Sequence, residues 1–415
     1  MLTSKQAPSP FDFKTILSAK DVQSIAEQML KEKKIVILDY SIRPYCEEQI
    51  GFLASHKRLE IKIRNFNETI TNLSFFVKII PYDQPDQASY IKDCQIFYQE
   101  TGFFKKLVPQ MTEKYFGDVW GPQCYLAKDD VLVLEDLSSL GFSMRPKVLN
   151  EELLKSGLKA LANLHAASLV LEKHLGQPLN QIYPDVFAQN YFATTGNQYC
   201  WYRAGVDVAI KVAEIMGLST NFISSICDQV YEAIKPSKTK QNVISHGDLW
   251  SNNLLFDNSS PPNCRLVDFQ LLRYAPFGHD IAQFLYLCSS RQIRDTKGLE
   301  LIKYYHNELK NCLNFNLNVK ITIPSWNELL QSYEEQKVGA VVTAVLYFPT
   351  VLLDGKLGAQ IMNTPELYVN YRYKDRRDIV LENMEKDSLY NLRMREIIEE
   401  LVELSLKLDS LPRPS

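Results

Sequence analysis

The sequence predicts an α+β fold in two lobes, a small β-rich N-terminal lobe and a larger, mainly helical C-terminal lobe. Two observations support this expectation. Up to about residue 137, short stretches with strand-like alternation surround one long helix-like segment, and beyond it apolar residues recur mostly at helical spacing. The chain has 415 residues, of which 46% are hydrophobic and 23% charged, so it is long enough to bury a large core.

The N-terminal lobe is predicted to contain a leading helix, five strands and one further helix. One stretch alternates strictly and puts Leu59, Ile61 and Ile63 on a single face. Residues 73–80 are rich in aromatic and β-branched side chains, and Pro81 ends that run. The predicted elements are a helix over 11–33, strands over 35–39, 58–64 and 73–80, a helix over 87–106, and strands over 123–126 and 131–134.

The C-terminal lobe is predicted to be helical apart from one short hairpin. Residues 150–175 carry leucines at helical spacing, which is typical of a long amphipathic helix. The hairpin joins 253–256 to 265–268 through a segment rich in turn-forming residues. Residues 177–241 are irregular and end in what we expect to be an exposed loop.

The composition argues against a membrane protein, a nucleic-acid-binding protein and a zinc protein. The longest apolar run, 338–353, is interrupted by Pro349 and is shorter than the roughly 20 residues that a membrane span needs, so we expect a buried helix and no span. The net charge of −3 leaves no basic surface for nucleic acid. The eight cysteines form no CxxC pair and no secretory signal is visible, which favours reduced thiols and a cytoplasmic location.

The most informative stretch lies at the predicted hairpin. It reads HGDLWSNN over residues 246–253 and continues to DFQ over residues 268–270. This is the pattern H-x-D-x-x-x-x-N followed by D-F-x, which supplies the parts of a phosphoryl-transfer site in order. Such a site needs one group that orients the attacking hydroxyl and oxygen ligands for the Mg²⁺ that neutralises the phosphates. The stretch therefore predicts phosphoryl transfer.

Three residues of this pattern are the candidate catalytic and metal-binding groups. Asp248 is predicted to be the base, or the group that orients the acceptor hydroxyl. Asn253 and Asp268 are predicted to offer Mg²⁺ one neutral and one charged oxygen. The alternative for each is an ordinary turn or capping role. His246 and Asp280 are expected to hold the loop in place.

A lysine in the third predicted strand is the candidate phosphate-binding cation. Lys78 is the one charge in the apolar stretch 75–80, so its ammonium must reach a polar environment. In a kinase site it would contact the α- and β-phosphates and pair with a glutamate of the following helix. Glu100 is the preferred partner, and Glu113 is the competitor. The alternative is a lysine that extends to solvent from an edge strand.

Two weaker elements complete the predicted nucleotide site. Gly51 would let the backbone approach phosphate and Ser55 would offer a hydroxyl, although an ordinary hairpin turn is the alternative. Glu135 and Leu137 lie where the last strand leaves for the helical lobe, and their backbone groups are predicted to bind adenine. The side chains of Glu135 and Asp136 could instead simply be solvated.

A β-rich lobe followed by a helical lobe, with these groups between them, is the plan of the bilobal protein-kinase-like fold. Ligands favour such lobe interfaces, so nucleotide is expected between the two lobes. We expect a helical N-terminal segment over 1–34, an N-lobe with the nucleotide-binding sheet over 35–137, and a C-lobe with the catalytic loop and substrate pocket over 138–415.

Together these motifs closely resemble the ecdysteroid kinase-like family, also called the CHK kinase-like family, which is related to choline kinases and aminoglycoside phosphotransferases. The resemblance implies an ATP- and Mg²⁺-dependent kinase that phosphorylates a hydroxyl of a lipophilic small molecule, such as an ecdysteroid or a xenobiotic conjugate in detoxification. Leu53 departs from the polar residue that is usual in the phosphate loop. The matching stretches are GFLAS over 51–55, FVKIIP over 76–81, LEDL over 134–137, LHAAS over 164–168, HGDLWSNN over 246–253 and DFQ over 268–270, with Phe97, Glu100 and Asp280.

Two rival functions stay open on the sequence. The first is a kinase for a polar acceptor such as choline or an aminoglycoside; no acidic cluster favours an aminoglycoside, but the many tyrosines leave an aromatic cage for choline possible. The second is a nucleotide-binding pseudokinase, which the intact ionic residues Lys78, Asp248, Asn253 and Asp268 argue against. The acceptor would enter beside Trp250, between residues of the 177–240 segment and the C-terminal helices.

Overall fold

The N-terminal part of the chain forms one antiparallel sheet of five strands. The computed structural model describes residues 16–45, 54–316 and 320–415. The strand order is β1-β2-β3-β5-β4, and the remainder is mainly helical, which confirms the predicted α+β fold. The strands are β1 Val36–Pro44, β2 Ser55–Arg64, β3 Ile70–Ile79, β4 Cys124–Ala127 and β5 Val131–Glu135.

The two faces of this sheet have different partners. Along β3, Phe75 and Val77 point to the face covered by α1 (Ala19–Leu30), where they join a small apolar core with Leu59 and Ile61 of β2. Lys78 lies on the opposite face because successive side chains of a strand alternate. Strand alternation therefore directs this lysine away from the small core. The helix α1 begins at residue 19, later than predicted, and residues 11–15 lie outside the described part of the chain.

The single helix predicted over 87–106 is wrong. The segment is divided because Gln95 adopts a left-handed backbone conformation with φ of 54°, although the apolar spacing continues across the break. A short π-helical turn, Phe103–Leu107, interrupts it again. The second piece carries Glu100, so the break sets the direction of that side chain. The pieces are α2 Pro85–Asp93, α3 Ile96–Gly102 and α4 Val108–Lys114.

The C-terminal part is built around two long helices that were predicted. One covers 151–175 and the other carries all but the last two residues of the apolar run 338–353, which is buried against the neighbouring helices. The helices are α5 Glu151–Leu175, α6 Leu179–Ile182, α7 Gly196–Ile215, α8 Ile223–Cys227, α9 Val230–Ala233, α10 Phe277–Cys288, α11 Arg291–Asn314, α12 Trp326–Val351, α13 Gly355–Asn363, α14 Pro365–Tyr373, α15 Arg377–Lys386 and α16 Ser388–Ser405.

The expectation that residues 177–241 are irregular is wrong in the middle of that segment. The helix α7 runs through it for 20 residues and buries Trp201, Val208 and Val212. Charged residues between these positions obscure the apolar period. Gly205 allows α7 to lie close to α12, since a Cβ there would be 2.5 Å from Leu346 Cδ2. The expected loop at the end of the segment, 235–240, is present.

Two pairs of short antiparallel strands hold the loops that carry the predicted catalytic and metal-binding residues. The strands β6 (Asn242–Ser245) and β9 (Arg273–Pro276) pair with each other, as do β7 (Leu254–Phe256) and β8 (Cys264–Leu266). The second pair is the predicted hairpin with slightly shorter strands. Because β6 leads to β7 and β8 leads to β9, the loops 246–253 and 267–272 lie side by side.

None of the described helices is by itself both long and apolar enough to cross a membrane. The helices α12 and α13 are long and apolar enough only when they are taken together, and they are bent by 86° at their junction.

Candidate active site

A buried carboxylate holds the loop over 246–253. Asp280, in the first turn of α10, accepts hydrogen bonds from Ser245 Oγ at 2.6 Å, His246 N at 2.7 Å and Gly247 N at 3.1 Å. His165 Nε2 lies 3.1 Å from the same carboxylate. Burial would raise the pKa of Asp280, but the contact with His165 and these donors hold it below its usual value. Asp280 therefore fixes the loop as a charged acceptor, as expected.

Further hydrogen bonds hold this loop against α10 and against the loop 267–272. Gln283 donates to the Gly247 carbonyl and accepts from Leu249 N, each at 3.0 Å. His246 Nε2 lies 2.9 Å from the Val267 carbonyl, which belongs to the second loop. Gly247 has φ of 73°, and a Cβ there would lie 2.1 Å from the Leu271 carbonyl oxygen. Only glycine fits this contact between the two loops.

Asp248 is a buried carboxylate that lines a cavity between the five-stranded sheet and the C-terminal helices. Its side chain accepts a hydrogen bond from Asn253 Nδ2 at 3.1 Å. Burial and the nearby charge of Asp268 raise the pKa of Asp248 to about 7, while Arg273 and Asn253 oppose the rise. A carboxyl group with a pKa near neutrality is suited to accept a proton late in a transfer reaction.

Lys78 lies between two carboxylates. Its Nζ is 2.5 Å from Glu100 Oε2 and also contacts Asp268 Oδ1. Burial would lower the pKa of Lys78, but these two carboxylates raise it above the usual value, so the side chain carries its charge. The pairing of Lys78 with Glu100 is thus present, whereas the competitor Glu113 is exposed and pairs with Lys114.

The backbone at Asp268 turns this carboxylate toward the cavity. Its φ of 67° is in the left-handed region, which is uncommon for a residue other than glycine. The next residue, Phe269, is fully buried against Phe103 and Trp120. The N–H of Phe269 donates to Glu100 Oε1 at 3.0 Å. The aromatic anchor and this hydrogen bond hold Asp268 beside Lys78.

A cavity of about 360 Å³ joins these groups to an apolar wall. Of the predicted site residues, seven line it and Ser55, which starts β2, does not; Gly51 lies outside the described residues. The seven are Lys78, Glu100, Glu135, Leu137, Asp248, Asn253 and Asp268.

The segment that leaves β5 is only partly free to bind a ligand. The Glu135 N–H donates to the Gln123 carbonyl at 2.8 Å, so it is already used within the sheet. The Leu137 carbonyl accepts from Phe142 N at 3.1 Å. Asp136 between them is buried and accepts from Tyr45 and Ser74 hydroxyls, which corrects the alternative of a solvated side chain.

The sequence did not identify the side chains of the second cavity wall. We call this set the C-terminal wall. It comes from the loop before α7 and from α7, α12 and α14, so no local motif marks it; only the predicted direction, between the 177–240 segment and the C-terminal helices, pointed to it. The C-terminal wall consists of Tyr191, Trp201, Leu346, Tyr347, Thr350, Val351 and Arg372.

The oxygen ligands in this site suit a divalent cation held together with a nucleotide. Asn253 uses its Nδ2 toward Asp248, so its amide oxygen is not needed for that contact. Asp268 lines the same cavity with a partly exposed carboxylate. Within the described ranges, no three His, Cys, Asp or Glu side chains are grouped to hold a metal by themselves. Mg²⁺ commonly takes one or two protein oxygens and completes its shell with phosphates and water, which fits this pair.

Known proteins similar to this chain include small-molecule kinases. The Plasmodium vivax ethanolamine kinase is 14% identical, with a TM-score of 0.40 over 86% of this chain and 84% of that one. The Cryptosporidium parvum choline kinase is also 14% identical, with a TM-score of 0.40 over 89% and 92%. A putative aminoglycoside phosphotransferase from Ralstonia eutropha is 12% identical, with a TM-score of 0.36 over 94% and 98%.

The family to which this chain belongs follows from its amino-acid sequence. No curated protein matches the chain. The profile described as the ecdysteroid kinase-like family matches residues 51–316, which span well over half of the chain and contain the ionic cluster described above. The chain belongs to the ecdysteroid kinase-like family.

Proposed function

We propose that this protein is an ATP-dependent phosphotransferase that phosphorylates a hydroxyl group of a lipophilic small molecule, such as an ecdysteroid or a xenobiotic conjugate. One observation carries the proposal. Lys78, Asp248, Asn253 and Asp268 line a single cavity whose C-terminal wall is mainly aromatic and aliphatic. The ionic groups match the needs of phosphoryl transfer, and the apolar wall matches a lipophilic acceptor.

In this proposal the N-lobe, residues 35–137, binds the nucleotide. Lys78, held by Glu100, would neutralise phosphate oxygens. Glu135 and Leu137 would border the adenine, although the Glu135 N–H is already committed to the Gln123 carbonyl. Asn253 and Asp268 would hold Mg²⁺, which when bound neutralises charge on the phosphates.

Asp248 would act on the acceptor from the C-lobe, residues 138–415. Its carboxylate would accept a hydrogen bond from the acceptor hydroxyl, orient its oxygen for attack and take the proton as transfer completes. The pKa near 7 supports this assignment because the group can hold that proton transiently. Asp280 is a positioning residue that acts through the loop backbone.

An aminoglycoside acceptor is less compatible with the cavity. Its four lining carboxylates, Glu100, Glu135, Asp248 and Asp268, all belong to the proposed nucleotide and catalytic groups. The C-terminal wall contributes no carboxylate, so a polycationic aminoglycoside would find little complementary charge there.

We also place the activity in the cytoplasm, since the seven cysteines of the described ranges are all free.

The test is ADP release by the purified protein with Mg·ATP and a panel of steroid alcohols, phenolic glucosides, choline and an aminoglycoside. We expect turnover with lipophilic alcohols and a loss of about 10²–10⁴-fold in Asp248→Asn. Turnover restricted to choline or the aminoglycoside would overturn the acceptor class. ATP binding without transfer to any compound would indicate a pseudokinase.

A further inference from the structure

A buried arginine in the C-terminal wall lacks hydrogen-bond partners at two of its three guanidinium nitrogens among the described residues. Arg372, on α14, lines the cavity and is 5% exposed. Its Nε and Nη2 atoms have no hydrogen-bond partner in the part of the chain that the structure describes. Buried guanidinium groups are normally paired, because desolvating their N–H donors and charge is costly.

Aromatic rings, and not acids, surround this guanidinium. It lies 4.4 Å from the ring centre of Tyr90 and 5.8 Å from that of Trp201. Among the described residues, no carboxylate oxygen lies within 4 Å of it. Cation–π contacts offset part of the cost of burial, but they do not satisfy the in-plane N–H donors of Nε and Nη2.

The cavity therefore has two polar regions. One contains Asp248 and the other contains Arg372, and Tyr191 lies within electrostatic range of both. Burial is the main cause that raises the pKa of Tyr191; Arg372 opposes the rise and Asp248 adds to it. The Tyr347 hydroxyl in the same wall also has no hydrogen-bond partner in the described ranges.

We propose that Arg372 binds an oxyanion of the acceptor, so that the preferred substrates are apolar hydroxy compounds that carry a carboxylate. This inference rests on the proposed function in one respect, namely that the cavity takes the acceptor. The planar N–H groups of arginine match a carboxylate in geometry and charge. A cation such as choline would instead meet the positive charge of Arg372 among the aromatic rings.

The test measures binding, with three probes that share one alkyl chain and one hydroxyl. They are ω-hydroxydodecanoate, its methyl ester and ω-aminododecanol, titrated calorimetrically into the full-length protein with a non-hydrolysable ATP analogue and Mg²⁺. We expect the wild type to bind the carboxylate at least about 10-fold more tightly than the ester, and the amine most weakly. Equal affinity for the carboxylate and the ester in the wild type would overturn the proposal without any variant.

Two variants test whether the preference for the carboxylate depends on Arg372. Arg372→Met is expected to remove the preference for carboxylate and to leave affinity for the ester within about 3-fold, whereas a purely packing role would weaken both probes alike. Arg376→Met is the matched control, because Arg376 is also buried with unpaired Nε and Nη1 atoms near Trp201 but does not line the cavity. It should keep the preference. Loss of the preference in Arg376→Met alone would contradict the assignment.

The binding assay separates this inference from the proposed function. Arg372-dependent binding of the carboxylate with no phosphate transfer would support the inference and overturn the proposed kinase function. Phosphorylation of neutral alcohols, with no carboxylate preference in binding, would retain the kinase and overturn the inference. Thermal denaturation of each variant confirms that it is folded before binding is compared.

Discussion

The side-chain amide of Asn253 donates two hydrogen bonds to Asp248, one to its carbonyl oxygen at 2.9 Å and one to its Oδ2 at 3.1 Å. The two residues are thus held together by the loop itself. The donor end of the amide is committed to Asp248, so its oxygen is the atom left for a cation. The same side chain would therefore both steady the proposed base and bind Mg²⁺.

Removing that amide should lower both the apparent affinity for Mg²⁺ and the rate. In Asn253→Ala we expect the Mg²⁺ concentration for half-maximal ADP release to rise at least about 10-fold, because one of few protein ligands is lost. Asn311→Ala, on the exposed side of α11, is the control and should match the wild type. An unchanged Mg²⁺ response in Asn253→Ala would assign this residue to the loop structure alone.

The raised pKa of Asp248 predicts a pH dependence of activity. Burial and the charge of Asp268 bring this pKa to about 7, and a base must be deprotonated to work. We expect kcat/KM to rise about tenfold per pH unit below that value and to level off above it. The profile is measured by ADP release at fixed free Mg²⁺. A flat profile from pH 5.5 to 8.5 would argue against Asp248 as the base.

The same pKa predicts that Asp248 destabilises the fold at high pH. The pKa rises from 3.8 to about 7 on folding, so between these values the folded state holds the extra proton and the free energy of unfolding falls as pH rises. Asp248→Asn removes this penalty. Relative to the wild type, it should gain on the order of a few kcal/mol more at pH 8 than at pH 4. Urea unfolding at both pH values measures the difference, and an equal difference at the two would contradict the prediction.

The sequence predicted the ionic cluster well because its members are tied to short motifs. Asp248, Asn253 and Asp268 belong to the two loops that flank one hairpin, and Lys78 is marked by its apolar strand. The pairing of Lys78 with Glu100 followed from the expected order of elements. What could not be predicted depends on packing between distant segments. Arg372 is brought to the cavity by α14, and nothing in its neighbours in sequence indicates that contact.

For Asp280 the sequence predicted the bracing role but not the number of hydrogen bonds that this carboxylate accepts. Two backbone N–H groups of the loop 246–253, the Ser245 hydroxyl at the end of β6 and His165 converge on this carboxylate. In Asp280→Ala those buried donors lose their acceptor, so we expect a loss of about 3–5 kcal/mol in the free energy of unfolding. Asp409→Ala, at a fully exposed carboxylate, should change it by less than about 0.5 kcal/mol. Equal losses in urea unfolding would show that Asp280 does not brace the loop.

Gly247 joins the two loops more closely than any other residue type allows. Gly247→Ala would place a Cβ 2.1 Å from the Leu271 carbonyl oxygen, at a backbone φ of 73°. Gly217→Ala is the matched control, because φ there is 69° but no atom lies within 4 Å of the added Cβ. The free energy of unfolding of the control should fall by about 1–2 kcal/mol, which is the cost of a left-handed backbone for alanine. For Gly247→Ala it should fall further, and ADP release should be lost as well. Since both positions share the left-handed backbone, the difference between them in urea unfolding isolates the contact with Leu271. If the two variants were equally stable and Gly247→Ala stayed active, the loops would not need that close approach, and Asp248 would not depend on it for its position.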